Sequence, residues 1–297
     1  MLGQLPNAVA LASVYTLFTL GLTLCWGVLN VLNLAHGALF AASAFLAYRL
    51  TQVVPGIPLW ALLPIMAVGI GLLSALVQVL VFAPIRARGA GEHDVEMRTL
   101  IAGVTVAAAI TTVGAILTEH QPFALPREAL EVTTFDVLGA PVTNVQVLLL
   151  VAAVVLACGL LGYVRYTRDG RALRAVAVDR RAARLMGIPV RRLEVQALAL
   201  SGALAGVAGL FFALYLGAGD AHMGDTLLLK AFAIVILAGV GSLGGAVVFA
   251  FVLAFVEAYV GYYAGADLRD VAAFALIIVM LLVRPTGLFP RAIGQRA

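Results

Sequence analysis

The sequence predicts an all-α, polytopic integral membrane protein with about eight to nine transmembrane helices, some broken or re-entrant. Three observations lead to that fold class. Of 297 residues, 63% are hydrophobic and only 11% charged, with a mean hydropathy of +1.07; a soluble domain carries about 25% charged residues. Apolar runs recur along the whole chain, many near the ~20 residues that a membrane-crossing helix needs. The connections between them alternate in kind, some basic and some acidic. A single membrane domain over residues 1–297 is expected, with no separate soluble module.

The runs lie at about Ala8–Leu29, Leu34–Val54, Leu59–Ala83, Leu100–Thr118, Val145–Tyr163, Leu193–Leu216, Leu227–Val240, Ala246–Tyr263 and Val271–Val283. Lys and Arg next to membrane spans are retained in the cytoplasm. Arg86, Arg88 and Arg98 therefore mark one cytoplasmic loop, the island Arg165–Arg192 a second, and Arg284, Arg291 and Arg296 a cytoplasmic C-terminus. The island alone holds nine of the 19 Lys and Arg residues. Acidic connections, with Glu119, Glu128, Glu131 and Asp136, then Asp220 and Asp225, then Asp267 and Asp270, fall on the other side. Three spans before Arg86 place the N-terminus outside. No basic residue precedes Arg49, so the positive n-region of a cleaved signal peptide is missing and Ala8–Leu29 is expected to be a retained span.

Two places depart from plain spans. Leu227–Val240 is short and runs into Gly239, Gly241, Ser242, Gly244 and Gly245, while the first hairpin carries Asn30, Asn33 and His36 just before Gly37. Short or Gly-interrupted segments in both halves of a chain point to a transport pathway. NLAHGALFAASAFLA and GSLGGAVVFAFVLAF share a polar-Gly turn followed by a small-residue helix, a weak internal likeness. Steps of three and four from Thr23 through Gly27, Asn30 and Asn33 to Gly37 mark one helix face. A polar stripe is costly against lipid, so Thr23, Asn30, Asn33 and His36 are candidates for the pathway lining. The plainer alternative has Asn33 capping the next helix and His36 bonding a nearby carbonyl. Lys230 and Glu257 are the deepest charges of the second hairpin, about equally far from its Gly turn. They are expected to form an ion pair across antiparallel helices; otherwise Lys230 snorkels outward and Glu257 faces water.

Several function classes are disfavoured. Lys230 is the only lysine, between Leu229 and Ala231. A Walker A loop needs Gly-Lys-Ser/Thr, so the chain is not its own ATPase and binds no ATP or Mg itself. The net charge is +4, but its arginines are spread over alternate loops rather than forming a nucleic-acid-binding stripe. Cys25 and Cys158 are read as small buried hydrophobes, Glu92–Glu96 as a solvated turn, and residues 121–143 as a lid or short hairpin. No catalytic or metal-binding set is legible.

The island reads RYTRDGRALRAVAVDRRAARLMGIPVRR. Gly170–Val178 and Asp179–Met186 are expected as two short helical turns. Asp179 is a good N-cap, because its carboxylate can accept free backbone N–H groups. Gly187 suits a left-handed C-cap and Pro189 stops continuation. Ala175, Val176, Ala182, Ala183 and Met186 supply small or soft apolar surface, ringed by Arg174, Arg180, Arg181 and Arg184, which can bond carboxylates of a partner. This order fits a docking helix better than a loop resting on lipid headgroups.

With these residues the chain resembles the permease subunits of high-affinity branched-chain amino acid ABC importers over nearly its whole length. GLTLCWGVLNVLNLAHGALF, with Asn33, Ala35, His36 and Gly37, is similar to that family's first hairpin. GRALRAVAVDRRAARLMGIPVRR resembles its coupling loop, here 165–192, with Arg174, Ala175, Asp179, Ala182, Ala183, Met186 and Gly187 as coupling residues. KAFAIVILAGVGSLGGAVVFAFVLAFVEA and DVAAFALIIVMLLVRPTGLF are similar to its closing segments. TLLLKAF departs from the small residues common before that lysine.

The resemblance implies a non-enzymatic transport subunit in the inner (plasma) membrane. It would pair with a second homologous permease, two cytoplasmic ATP-binding subunits and a periplasmic or surface solute-binding protein. The implied cargo is leucine, isoleucine and valine, although similar systems serve urea, amides or aromatic compounds. The competing class is an ion-gradient-driven transporter or channel, for which Glu257 would be the one mid-membrane acid.

Overall fold

The structure, a computed structural model, describes residues 2–29, 32–88, 91–125, 133–137, 140–265, 267–284 and 287–288. Its elements are α1 (Leu5–Leu29), α2 (Ala35–Val53), α3 (Leu59–Val77), α4 (Ala83–Arg88) and α5 (Glu92–Leu117). A hairpin of β1 (Thr134–Val137) and β2 (Ala140–Thr143) precedes α6 (Asn144–Tyr166), α7 (Arg168–Val178) and α8 (Arg180–Leu185). The chain closes with α9 (Val190–Leu216), α10 (Met223–Ala238), α11 (Leu243–Tyr263) and α12 (Leu268–Val283).

Every apolar run of the sequence is helical. Among the described residues, six helices are long and apolar enough to cross a membrane: α1, Leu59–Arg88, His93–Leu117, α6, α9 and α11. α10 and α12 have 16 residues each, less than the ~20 of a full perpendicular crossing. The all-α, polytopic class therefore holds, with α10 and α12 as its short members.

Local chemistry sets the helix ends. Thr143 Oγ1 accepts from Gln146 N at 3.3 Å while Gln146 Oε1 accepts from Thr143 N at 3.0 Å, a capping box that starts α6. Between α3 and α4 the helix continues through a π turn, Gln78–Phe82, in which Ala83 N donates to Gln78 O five residues back. The cause is Pro84, which lacks an N–H and whose ring pushes away the carbonyl one turn earlier.

α1 is the axis of the bundle. In its spanning window 94% of residues are buried, against α9, α11, α6 and α10. It carries no charge, and the hydroxyls of Ser13, Thr19 and Thr23 return to its own backbone. Ser13 Oγ donates to Val9 O at 2.8 Å, Thr19 Oγ1 to Tyr15 O at 2.5 Å and Thr23 Oγ1 to Thr19 O at 2.6 Å. Such bonds one turn back let a hydroxyl be buried without an acceptor from another helix. α2 and α3 pack on α9, α5 lies against α2, and α12 covers α10 and α11. Only 11% of the α5 window and 28% of the α6 window are buried; the rest is apolar surface for lipid. Cys158 lies on that exposed face of α6 and is not the buried hydrophobe expected, whereas Cys25 is buried.

Helix α9 approaches its neighbours through small residues. A Cβ on Gly206 would stand 2.6 Å from Met66 O, and one on Gly202 2.7 Å from Ile70 O, both on α3. Ser43 Oγ of α2 donates to Gly206 O at 2.5 Å. Without a hydrophobic drive between helices in lipid, this close backbone approach supplies the association.

At the other end of the bundle from α7 and α8, β1 and β2 pair antiparallel, Thr134 opposite Thr143. Phe123 and Gly219 exchange two backbone hydrogen bonds, at 2.9 and 2.7 Å. Residues 121–143 thus contain a short hairpin, with 126–132 and 138–139 outside the described residues. The turn expected at Glu92–Glu96 is instead the start of α5, where Arg98 Nε donates to Asp94 Oδ1 at 2.7 Å.

Substituting Gly206→Leu must separate α9 from α3. It is expected to destabilise the protein by about 1–3 kcal/mol or more, measured as heat-induced unfolding in detergent. Gly69→Leu, where a Cβ meets nothing within 4 Å, should change stability by less than about 0.5 kcal/mol.

Candidate functional site

The predicted polar stripe does not lie on one helix. α1 ends at Leu29 and α2 starts at Ala35, so Thr23 and Gly27 belong to one element, and Asn33, His36 and Gly37 to the turn and helix beyond it. Asn30 lies outside the described residues. Asn33 Oδ1 accepts from Ala35 N at 3.2 Å, supporting the first residue of α2. The His36 ring sits inside the bundle, Nε2 at 3.0 Å from Phe18 O and Nδ1 at 3.3 Å from Ser201 Oγ. Its ring centroid is 4.5 Å from that of Phe18. Thr23, Asn33 and His36 are all buried. Thr23 borders a cavity of about 20 Å³ that also touches Gly27, Arg174, Ala177 and Gly241, room for one water. The start of α2 is drawn in by backbone contact: a Cβ on Gly37 would lie 2.8 Å from Gly224 O on α10.

A charge cluster joins four helices toward the hairpin end. Lys230 of α10 and Glu257 of α11 are 5% and 1% exposed, and Lys230 Nζ lies 3.0 Å from Glu257 Oε1. Sequence reasoning missed two further members. Asp270, in the first turn of α12, places Oδ1 2.8 Å from Lys230 Nζ. Tyr15 of α1 donates its hydroxyl to Glu257 Oε2 at 2.6 Å and receives Lys230 Nζ at 3.5 Å. One ammonium thus has two carboxylates and a phenol, and Asp270 opens the cluster to solvent. Only the roughly equal spacing of Lys230 and Glu257 from their turn was a local signal; Tyr15 and Asp270 come from distant segments.

At the arginine-rich end, α7 and α8 form a bent tip. Thr167 Oγ1 caps α7 by accepting from Gly170 N at 2.9 Å. Asp179 Oδ1 caps α8 by accepting from Arg181 N at 2.8 Å and Ala182 N at 3.0 Å. Gly187 takes φ +78°, a left-handed conformation that costs a glycine little, and the chain turns into α9. Ala175, Ala182, Met186 and Gly187 are exposed, as are Arg174, Arg181 and Arg184. Val176 and Ala183 are buried, so these two expected surface residues instead attach the tip to the bundle. The helical phase turns other residues outward: Val178, Leu185 and Met186 are 77%, 89% and 82% exposed.

Arg180, expected at the rim of the docking surface, turns inward. It forms an ion pair with Glu194 in α9, which is 4% exposed. Arg86 Nη1 of α4 lies 3.6 Å from Glu194 Oε2, and Gln78 Nε2 of the π turn donates to that oxygen at 3.1 Å. Burial, then nearby Arg86 and Arg184, lower the Arg180 pKa to about 10, leaving it charged at neutral pH.

The Lys230 cluster responds differently to removal of one charge and of both. Lys230→Met leaves buried Glu257 without its cation and should cost about 3–5 kcal/mol, whereas Glu257→Leu leaves Lys230 paired with Asp270 and should cost less. The double variant should recover most of that loss, because a buried pair and a matched apolar pair differ little in stability. Thermal unfolding in detergent checks both outcomes.

Known proteins resemble this chain in sequence, and one solved structure resembles it in fold. High-affinity branched-chain amino acid transport system permease protein LivH of Salmonella typhimurium is 27% identical over 300 residues, covering 98% of this chain and 96% of LivH. The corresponding permease protein BraD of Pseudomonas aeruginosa is 27% identical over 302 residues, with the same coverage. The solved PsaBC from Streptococcus pneumoniae, in complex with Fab, is similar in fold, with TM-score 0.52 and 14% identity over 94% of this chain and 92% of that one. Residues 4–281 match the family model for the branched-chain amino acid transport system, permease component. The chain belongs to that family of membrane permease components.

Proposed function

We propose that this protein is the membrane-spanning subunit of an ATP-driven ABC importer, moving branched-chain amino acids or related small solutes across the inner membrane. It works beside a second homologous permease, with two cytoplasmic ATP-binding subunits and a periplasmic or surface solute-binding protein. The whole chain, 1–297, acts as one permease domain, with 165–192 as its cytoplasmic coupling loop, the C-terminus inside and the N-terminus outside. ATP hydrolysis belongs to the partner subunits.

The observation that carries this reading is the exposed apolar surface at the tip of α7 and α8. Val178, Leu185 and Met186 project from a bundle whose other exposed apolar surfaces lie mainly along its membrane helices. Arg174, Arg181 and Arg184 surround them. Large exposed apolar groups rimmed by charge mark a protein-binding surface, and a capped, rigid tip loses little freedom on docking. The only lysine lies in the intramembrane cluster, consistent with motive force from another subunit. Leucine, isoleucine and valine are the favoured cargo because full-length relatives are named for branched-chain amino acids. Thr23, Asn33 and His36 remain the pathway candidates of this chain, together with Asn30. The pathway opens, on this reading, when the helices around α1 separate.

Leu185→Glu tests the docking surface without disturbing the core. A lost anchor residue costs an interface about 2 kcal/mol, roughly thirtyfold in affinity. Co-purified ATP-binding subunit and leucine uptake in proteoliposomes should fall together while the unfolding temperature stays unchanged. Leucine uptake by the wild-type chain alone, driven by an ion gradient, would favour the secondary-transporter alternative instead.

A further inference from the structure

The connection between α8 and the end of the α3–α4 helix runs through one carboxylate. α8 is only six residues long, and Ala183 is its single buried side chain. One methyl group cannot fix the angle of a short helix by packing. Its C-terminal end is tied covalently to α9 through Gly187 and Pro189, and its N-terminal end is tied by the ion pair of Arg180 with Glu194. Asp179 joins α8 to α7, and the ion pair adds a side-chain link from the start of α8 to α9.

The same carboxylate also holds the end of the α3–α4 helix. Arg86 lies 3.6 Å from Glu194 Oε2, and the amide of Gln78 donates to it at 3.1 Å. Gln78 opens the π turn that Pro84 forces on the helix, and such turns are often placed at functional sites. Two guanidinium groups therefore share one buried carboxylate. Arg86 Nε, Nη1 and Nη2 and Arg180 Nε make no hydrogen bond among the described residues. Stability does not account for this: an apolar set would hold the helices as well or better. The geometry supplies direction instead, joining α8, α9 and α4 at a point next to the docking surface.

We propose that Glu194 is the positioning residue that transmits movement of the docked tip to the membrane helices, with Arg180 as the link to α8 and Arg86 and Gln78 as the links to α4 and the π turn. This rests on the ATP-driven reading above. Removing Arg180 alone leaves the Arg86–Glu194 pair neutralised, so the fold survives while the link to the tip is cut. Removing the charge of Glu194 leaves the largely buried Arg86 and the partly exposed Arg180 facing each other without their anion, which harms both stability and coupling. Arg180→Gln is therefore the clean variant and Glu194→Gln the severe one.

The test uses the full complex in proteoliposomes, measuring ATP hydrolysis and uptake of radiolabelled leucine in the same sample. Arg180→Gln should keep the ATP-binding subunits bound and hydrolysis active, and should lower leucine moved per ATP about tenfold, as expected for loss of one coupling contact. Its unfolding midpoint should shift by no more than about 4 °C. Arg180→Lys, which keeps the charge, should restore most of the ratio, and Glu194→Gln should lower both ratio and stability. An unchanged ratio in Arg180→Gln with the ATP-binding subunits bound overturns the transmission role while leaving the proposed function intact. Failure of Arg180→Lys to recover the ratio, with stability preserved, overturns it too. Failure of the wild-type chain to bind ATP-binding subunits at all removes the ATP-driven reading, and this inference with it.

Discussion

Burial of charge without water governs this molecule. A bilayer offers no partner for an unpaired polar group, and only 11% of the residues are charged. The few charges drawn inside are gathered into two clusters, one near each end of the bundle. Lys230 meets Glu257, Asp270 and Tyr15 at one end, and Glu194 meets Arg86, Arg180 and Gln78 at the other. α1 runs between them without a charge; Ser13, Thr19 and Thr23 keep their hydroxyls on its own carbonyls, while Tyr15 gives its hydroxyl to Glu257. Small residues on α9 let its neighbours approach closely enough to pack.

The clusters have different characters. The Lys230 group has more anion than cation and opens to solvent through Asp270, so it can hold α10, α11 and α12 on the Tyr15 side of α1 without stranding a charge. The Glu194 group has more cation than anion and lies beside the tip of α7 and α8. A single carboxylate there belongs at once to the tip, to α9 and to the end of the α3–α4 helix.

Much of the fold was legible because hydropathy and helix punctuation are local. The apolar runs became helices, and Asp179 and Gly187 took the capping positions that their chemistry favours. The interior was less legible, for physical reasons. Lipid-facing and core-facing side chains are equally apolar, so nothing near Cys25 or Cys158 distinguished the buried one from the exposed one. The stripe from Thr23 to Gly37 assumed one unbroken helix, but the chain turns between Leu29 and Ala35, where Asn33 bonds the backbone and Gly37 meets Gly224. Ala183 faces inward because the Gly187–Pro189 turn sets the phase of α8 against α9. Tyr15 and Glu257 are 242 residues apart, and no spacing rule connects them.

The central claim is that the tip of α7 and α8 lies in the cytoplasm under a soluble subunit. Its most direct measurement is labelling of Leu185→Cys, with Cys25 and Cys158 replaced by Ala, by a membrane-impermeant maleimide. Reaction is expected only in inside-out vesicles stripped of peripheral subunits, with protection when purified ATP-binding subunit is added back. Labelling in intact cells or right-side-out vesicles, or equal labelling with and without that subunit, would contradict the account.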